Sequence, residues 1–167
     1  METGGRVISF CLMPNHYHLM LRSHRKYSIP KTMHLLNTLY GQYFVKKYKM
    51  VGAVFQGRYW SEVARTLRSR IFMARYITRN PKDLPGFAEN FLQYPWSSHA
   101  YLHYEGNYDL PLKIWPNGIL RYFPNIEAYE EFVLADNREA LKMLQRWWTD
   151  ENADIATVMK KIQRFRK

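Results

Sequence analysis

The fold class of this sequence is decided by residues 11–22, CLMPNHYHLMLR, together with the residues just before them. Residues 7–12, VISFCL, are β-branched and apolar, which predicts a strand, and residues 16–22, HYHLMLR, predict a second one. Between them Pro14 removes a backbone donor and Asn15 tolerates turn geometry. The sequence therefore predicts an antiparallel β-hairpin closed by a tight turn.

Helical patterns follow the hairpin. Ser28 can cap a helix that extends to about Tyr48, because apolar residues recur along it at helical spacing. A second helix is predicted over residues 66–79, where an Asn-Pro pair ends it. Between the two helices, residues 52–62, GAVFQGRYWSE, predict a loop and a third strand.

The rest of the chain is expected to be mostly helical. An irregular connection is predicted before two helices over residues 126–133 and 138–149, and residues 155–167 predict a short basic helix or tail. We expect residues 1–93 to form a core and residues 94–167 to form a C-terminal extension packed on it. No internal repeat or low-complexity segment is present in the sequence.

Composition excludes several classes of protein. The chain has 167 residues, 47% of them hydrophobic, which is enough for a packed core and too apolar for a disordered protein. Its single cysteine, Cys11, excludes an internal disulfide framework. No run of about 18 apolar residues or secretory signal is visible, so we expect no membrane partner.

The charge is concentrated in the first half of the chain. The net charge is +11, and residues 1–82 hold 15 Lys and Arg against two acids, whereas residues 83–167 hold 10 against 12. Aromatic residues are interleaved with the basic ones, as in YGQYFVKKYK at residues 40–49. Cations neutralise phosphates and aromatic rings stack on unpaired bases, so the pattern favours nucleic-acid binding. The alternative is a solvated basic surface over an aromatic core.

His16 and His18 are the first chemical pattern. Side chains alternate along a strand, so these two imidazoles are expected on one face, where they would form half of a metal site. The alternative is two ordinary polar histidines on a solvated strand face. A cupin would require a nearby glutamate, and a tetrahedral zinc site would require more Cys or His at close spacing; the sequence offers neither.

Tyr76 is the second chemical pattern. It lies four residues before Asn80, so both are expected on one side of the second helix. We expect an apolar stripe of Leu67, Ile71, Ala74 and Thr78 on the core side, with Tyr76, Phe72 and Ser69 on the opposite side. A tyrosine beside metal ligands could attack a phosphate held by a divalent cation. The alternative is a surface tyrosine before an ordinary helix end.

Four ordered motifs resemble one family. They are CLMPNHYHLMLR at 11–22, FQGRYWS at 55–61, ARYITRNP at 74–81 and YPWSS at 94–98. Together they resemble the REP-associated tyrosine transposases, which are IS200-like members of the single-tyrosine HUH superfamily. The resemblance extends weakly to ILRYF at 119–123 and AYEEFV at 128–133.

The resemblance implies an α+β fold with a ferredoxin-like antiparallel sheet and helices, and it makes residues 1–93 the catalytic core. It also implies nicking and rejoining of single-stranded DNA beside hairpins, with Mg²⁺ or Mn²⁺, through a 5′-phosphotyrosine intermediate. By this resemblance Tyr76 is the nucleophile, and His16, His18 and Asn80 are the metal ligands, although Asn is shorter than the glutamine often found there. The DNA-binding candidates are Arg22, Arg58, Tyr59, Trp60, Arg75 and Arg79.

Other expectations follow from the resemblance. The protein would be a monomer or homodimer in the bacterial cytoplasm, associated with the nucleoid. The family usually has a strand and a helix before the LMPNHYH strand, and only about ten residues precede it here. We therefore expect a truncated sheet, and lower stability than that of a chain extended upstream. A catalytically silent single-strand binder is the alternative function.

Overall fold

A computed structural model describes residues 6–23, 28–103 and 118–147 of the chain. Two strands and five α-helices lie in this part, joined by short 3₁₀ turns. The architecture is α+β, as predicted, and is consistent with part of a ferredoxin-like sheet followed by a helical region. None of the described helices is both long enough and apolar enough to span a membrane.

The predicted hairpin is confirmed. Strand β1 (Arg6–Leu12) pairs with strand β2 (Tyr17–Arg22), and the Met13 N–H donates to the His16 carbonyl across the turn at 2.9 Å. The second strand begins at Tyr17, so His16 lies at the end of the turn rather than within the strand.

The YPWSS motif covers the outer edge of β1. Cys11 and Ser97 form an antiparallel bridge, and the Leu12 N–H donates to the Trp96 carbonyl at 2.8 Å. The Ser98 hydroxyl accepts from the Phe10 N–H at 3.1 Å. These contacts satisfy backbone groups that an edge strand would otherwise expose.

Contacts divide the chain into two compact units. The first comprises Met1–Arg6 and Leu21–Val63, and the second comprises Val7–Met20 and Ala64–Lys167. This division differs from the predicted boundary at residue 93, which stays a prediction.

The first unit contains helix α1 (Ile29–Tyr48). Ser28 caps it as predicted, because the Ser28 hydroxyl accepts from the Lys31 N–H at 3.4 Å. The helix ends where Lys49 adopts a left-handed conformation with φ 51°. The length and start of α1 therefore agree with the sequence prediction.

The predicted third strand is absent from the fully described segment 51–65. Gly52 there has φ +107°, a conformation outside the strand region. Glycine weakens a strand because it orders at a high entropic cost and has no side chain to pack. The apolar and aromatic residues of this segment were therefore insufficient to define a strand.

Helix α2 (Leu67–Arg79) lies in the second unit and bears Tyr76. It starts with a capping box, in which the Thr66 hydroxyl accepts from the Ser69 N–H and the Ser69 hydroxyl accepts from the Thr66 N–H, both at 3.0 Å. The start of α2 is therefore fixed by its own sequence, and this sets which side of the helix each later residue occupies.

The remaining helices of the second unit are α3 (Ser98–His103), α4 (Ile126–Leu134) and α5 (Asn137–Trp147). Helices α4 and α5 confirm the two predicted C-terminal helices within a residue or two at the bounds that can be compared. The predicted end of the second of these near Thr149, and the predicted basic tail over residues 155–167, lie outside the described residues.

The core of the second unit forms around α2. Phe72 lies at 2% exposure and its ring contacts that of Phe132, with 5.6 Å between centroids. The prediction that Phe72 shares the solvent side with Tyr76 is therefore wrong. Helix α2 buries side chains on more than one stripe of its surface. A prediction that assigns one apolar stripe to the core therefore underestimates the buried face of this helix. The buried residues of α2 are Ile71, Phe72, Ala74, Arg75, Ile77 and Thr78.

Candidate active site

Four predicted site residues come together in the second unit: His16, His18, Tyr76 and Asn80. The imidazole rings of His16 and His18 lie 4.9 Å apart between centroids, in an edge-to-face arrangement. The rings of His18 and Tyr76 lie 5.4 Å apart, again edge to face. Residues about sixty positions apart in sequence are thereby brought into contact.

The turn sequence sets the position of His16. The His16 side chain is exposed, and its Nδ1 lies 2.7 Å from the side-chain oxygen of Asn15. In the tautomer in which Nδ1 donates to that oxygen, Nε2 carries the free lone pair. Asn15 was predicted only as a turn residue, and its contact with His16 could not be read from the turn pattern alone.

His18 lies deeper than His16. Its Nε2 is buried and has no hydrogen-bond partner in the structure. The pKa of His18 is lowered to about 4, first by burial and then by the nearby His16, while a hydrogen bond with Asn80 acts in the opposite direction. His18 is therefore neutral at pH 7, which is the protonation state that a metal-ligating imidazole requires.

Tyr76 and Asn80 are joined by the helix geometry. The Asn80 amide nitrogen donates to the Tyr76 carbonyl at 2.9 Å, which leaves the amide oxygen of Asn80 as an acceptor. Tyr76 is half-buried and packs against the core of the second unit. The four-residue spacing predicted from the sequence thus brings the two residues together on one side of the helix end.

The donor set at this site is narrow. Nowhere in residues 6–23, 28–103 and 118–147 do three His, Cys, Asp or Glu side chains form a group that could hold a metal ion. Any cation here would therefore depend on the two imidazoles and the amide oxygen of Asn80. The orphaned, buried Nε2 of His18 and its neutral imidazole fit such a ligand. The three predicted metal ligands, His16, His18 and Asn80, therefore all lie at this site.

Four of the predicted DNA-binding residues lie in the first unit. Arg22 and Arg58 are exposed, Tyr59 is half-buried, and Trp60 is 63% exposed. Their exposure is compatible with a contact to DNA, which stays a prediction.

Arg75 has a different role from the predicted one. It is 5% exposed, its Nε donates to the Phe132 carbonyl at 2.8 Å, and its other nitrogens donate to the Ala135 carbonyl and to the Asn137 side chain. A guanidinium enclosed in this way cannot reach DNA, so that prediction is wrong for Arg75. The burial of Arg75 could have been predicted from the sequence, because Arg75 is four residues after Ile71 and therefore lies on the same side of the helix.

Arg79 is partly exposed and makes similar contacts. Its guanidinium donates to the carbonyls of Val133, Leu134 and Ala135, and lies 5.7 Å from the centre of the Phe91 ring. Both arginines thus bind carbonyls at the C-terminal end of α4, which have no partner within that helix. The prediction that Arg79 contacts DNA is untested.

Residues 2–80 match the model of a family described as Transposase IS200 like. This region belongs to the IS200-like transposase family. The match includes the hairpin with His16 and His18 and ends at Asn80, so it spans all four residues of the candidate site. Membership indicates a DNA-binding, DNA-cleaving enzyme of DNA transposition. No curated protein and no solved structure matches the chain.

Proposed function

We propose that this transposase nicks and rejoins single-stranded DNA beside hairpins, with Tyr76 as the nucleophile. The observation that carries the proposal is the contact between the Tyr76 and His18 rings, 5.4 Å apart between centroids. It puts the phenol ring of Tyr76 next to an imidazole whose buried nitrogen has no hydrogen-bond partner in the structure. A nucleophile beside a potential metal ligand is the arrangement that covalent phosphoryl transfer requires.

The proposed step is a transesterification. The Tyr76 hydroxyl oxygen forms a bond to phosphorus while the bond from phosphorus to the 3′-oxygen of the preceding nucleotide breaks. The phenol loses one proton and the leaving 3′-oxygen gains one, so the step consumes no water and needs no other reactant. The products are a 5′-phosphotyrosine and a free 3′-OH, and the reverse step rejoins the strands.

The site residues would each have a defined part. His16, His18 and the amide oxygen of Asn80 would hold Mg²⁺ or Mn²⁺. A divalent cation bound there supplies charge that polarises the scissile phosphate. The hydrogen bond from Asn80 to the Tyr76 carbonyl holds the last turn of α2, and the Asn15 contact holds the His16 ring. Both contacts reduce the motion of groups that must meet the phosphate.

A covalent-adduct assay tests the proposal. The full chain is incubated with end-labelled single-stranded hairpin oligonucleotides and Mg²⁺ or Mn²⁺, and a protein-linked band is sought on a denaturing gel. We expect a band that disappears with EDTA and in Tyr76→Phe. Tyr101→Phe in α3 is the matched control, because it removes the same hydroxyl from another partly buried tyrosine of the second unit.

The possible outcomes separate the two functions. A band retained in Tyr76→Phe would overturn the assignment of the nucleophile. No band with the unmodified chain, while metal-independent hairpin binding persists, would favour a catalytically silent single-strand binder. Loss of the band in both Tyr76→Phe and Tyr101→Phe would indicate a general structural defect, which circular dichroism of the two variants would detect.

A further inference from the structure

Four aromatic rings form a continuous strip in the first unit. The aromatic strip consists of Tyr40, Phe44 and Tyr48 on successive turns of α1, with Phe55 beside Tyr40. Ring centroids are 5.8 Å apart for Tyr40 and Phe44, 4.5 Å for Phe44 and Tyr48, and 5.9 Å for Tyr40 and Phe55. These distances are those of interacting aromatic pairs, so the strip is an ordered surface.

The strip is strongly exposed. Tyr40 and Tyr48 keep 47% and 55% of their surface accessible, and the neighbouring Tyr43 keeps 54%. Large aromatic side chains on a helix ordinarily supply its buried face. Three large aromatic side chains exposed together on one helix form the kind of patch that serves in interactions.

A lysine lies over this patch. The ammonium of Lys47 donates to the Tyr43 hydroxyl at 2.8 Å, and lies 5.3 Å from the centre of the Tyr43 ring and 5.6 Å from that of Tyr48. The hydrogen bond to Tyr43 raises the pKa of Lys47, so the cation persists at all ordinary pH values. A fixed positive charge thus lies directly beside the exposed rings.

The charged residues around the aromatic strip indicate a negatively charged partner. Helix α1 carries Lys31, Lys46 and Lys47 and no acidic residue. Residues 28–63 as a whole hold five Lys and Arg against one acid, Glu62. An apolar protein partner would gain nothing from this excess, whereas a polyanion with flat apolar rings complements both the charge and the aromatic faces.

We propose that the aromatic strip, with Tyr43 and Lys47, is a stacking surface for the unpaired bases of single-stranded DNA. The tyrosine faces take bases, and Lys47 with its neighbours takes the phosphates between them. Duplex DNA hides its base faces and would not use this surface. The inference rests on the proposed function for the identity of the nucleic acid, and it assigns part of the binding to residues distinct from the catalytic group.

The test measures binding without chemistry. A fluorescein-labelled oligothymidine without a hairpin is titrated with the full chain in EDTA, and anisotropy gives Kd. Tyr43→Leu with Tyr48→Leu removes two exposed rings, and Tyr43→Phe with Tyr48→Phe is the matched control that keeps them. We expect the Leu pair to raise Kd at least about tenfold and the Phe pair to raise it less than about threefold. Leu is a good helix former, so α1 should remain folded, which circular dichroism checks.

Several results would overturn the inference. These are equal Kd values for the Leu pair and the unmodified chain, equal loss in the Phe pair, or equal affinity for a duplex of the same length. A concentration-dependent dimer in sedimentation that the Leu pair abolishes, with the Kd for DNA unchanged, would assign the patch to a second copy of the chain instead.

The failure of this inference and that of the proposed function are distinguishable. If the Tyr76 adduct forms but the Leu pair binds oligothymidine normally, the strip is not a DNA surface and the chemistry stands. If no adduct forms but the Leu pair loses affinity, the strip binds DNA and the nicking proposal fails. Because the anisotropy assay contains no metal, it does not depend on His16, His18 or Asn80.

Discussion

Replacing Arg75 with methionine should destabilise the second unit. The change keeps most of the apolar stem and removes a guanidinium that is 5% exposed and bonds to three acceptors. Those acceptors are the carbonyls of Phe132 and Ala135 and the side chain of Asn137. The two carbonyls lie at the end of α4, where no helical N–H can replace the lost donor.

The magnitude follows from those acceptors. Asn137 is exposed and Arg79 also donates to the Ala135 carbonyl, so the Phe132 carbonyl is the buried acceptor that loses its donor. An unsatisfied buried polar group costs about 1–3 kcal/mol. Removing a buried charge offsets part of this, because burial and the nearby Arg79 already lower the pKa of Arg75 to about 10. We therefore expect a net loss of about 1–2 kcal/mol in the free energy of unfolding. For a chain of this size, that corresponds to a decrease of about 2–8 °C in Tm.

Urea unfolding followed by circular dichroism measures this loss. Arg65→Met is the matched control, since Arg65 is exposed just before α2 and the chemical change is the same; it should shift the free energy by less than about 0.5 kcal/mol. Arg75→Lys should recover only part of the loss, because a single ammonium cannot reproduce the planar fork of donors. If Arg75→Met unfolds at the same urea concentration as the unmodified chain, the proposed anchoring of α4 on α2 is refuted.

Two further predictions concern the same unit. Thr66→Ala should cost about 1 kcal/mol in urea unfolding, because it removes half of the capping box of α2, whereas Thr66→Ser should be nearly neutral; a neutral Thr66→Ala would mean that this cap contributes nothing. Cys11 is fully buried, and burial raises its pKa to about 12. Its thiolate forms in the folded state only as the pH approaches that value, so iodoacetamide at pH 8 should label the chain in urea and leave the native chain unlabelled over the same time; rapid native labelling would contradict this.

The parts of the fold that the sequence predicted correctly have local causes. Helix α1 begins after Ser28 and α2 after Thr66, at residues whose own hydroxyls cap the first turn. The hairpin follows from two short runs of strand-forming residues and a Pro-Asn turn between them. The predicted strand over residues 52–62 failed because a strand depends on pairing with a distant backbone, which a local pattern does not specify.

The candidate site was predicted only in part, because a local pattern specifies neighbouring residues and not contacts between distant ones. The spacing of His16 and His18, and of Tyr76 and Asn80, follows from local geometry, and both pairs are close in the structure. The contact between the two pairs depends on how the hairpin packs with α2, which only the resemblance to a family suggested. Arg75 was misassigned because basic residues were read as DNA contacts, although its position on the core side of α2 indicated burial.

Neighbouring residues of α2 explain how the half-buried Tyr76 is held in place. Arg75 binds the end of α4, and Thr78 bonds to the buried Tyr129 hydroxyl at 3.0 Å, so the residues before and after Tyr76 are fixed to the C-terminal helices. Tyr76 itself faces the His18 ring. A side chain on a helix anchored at two neighbouring positions loses little further freedom when it meets a phosphate. It follows that residues outside the family match, at 129–137, contribute to the positioning of a tyrosine inside it.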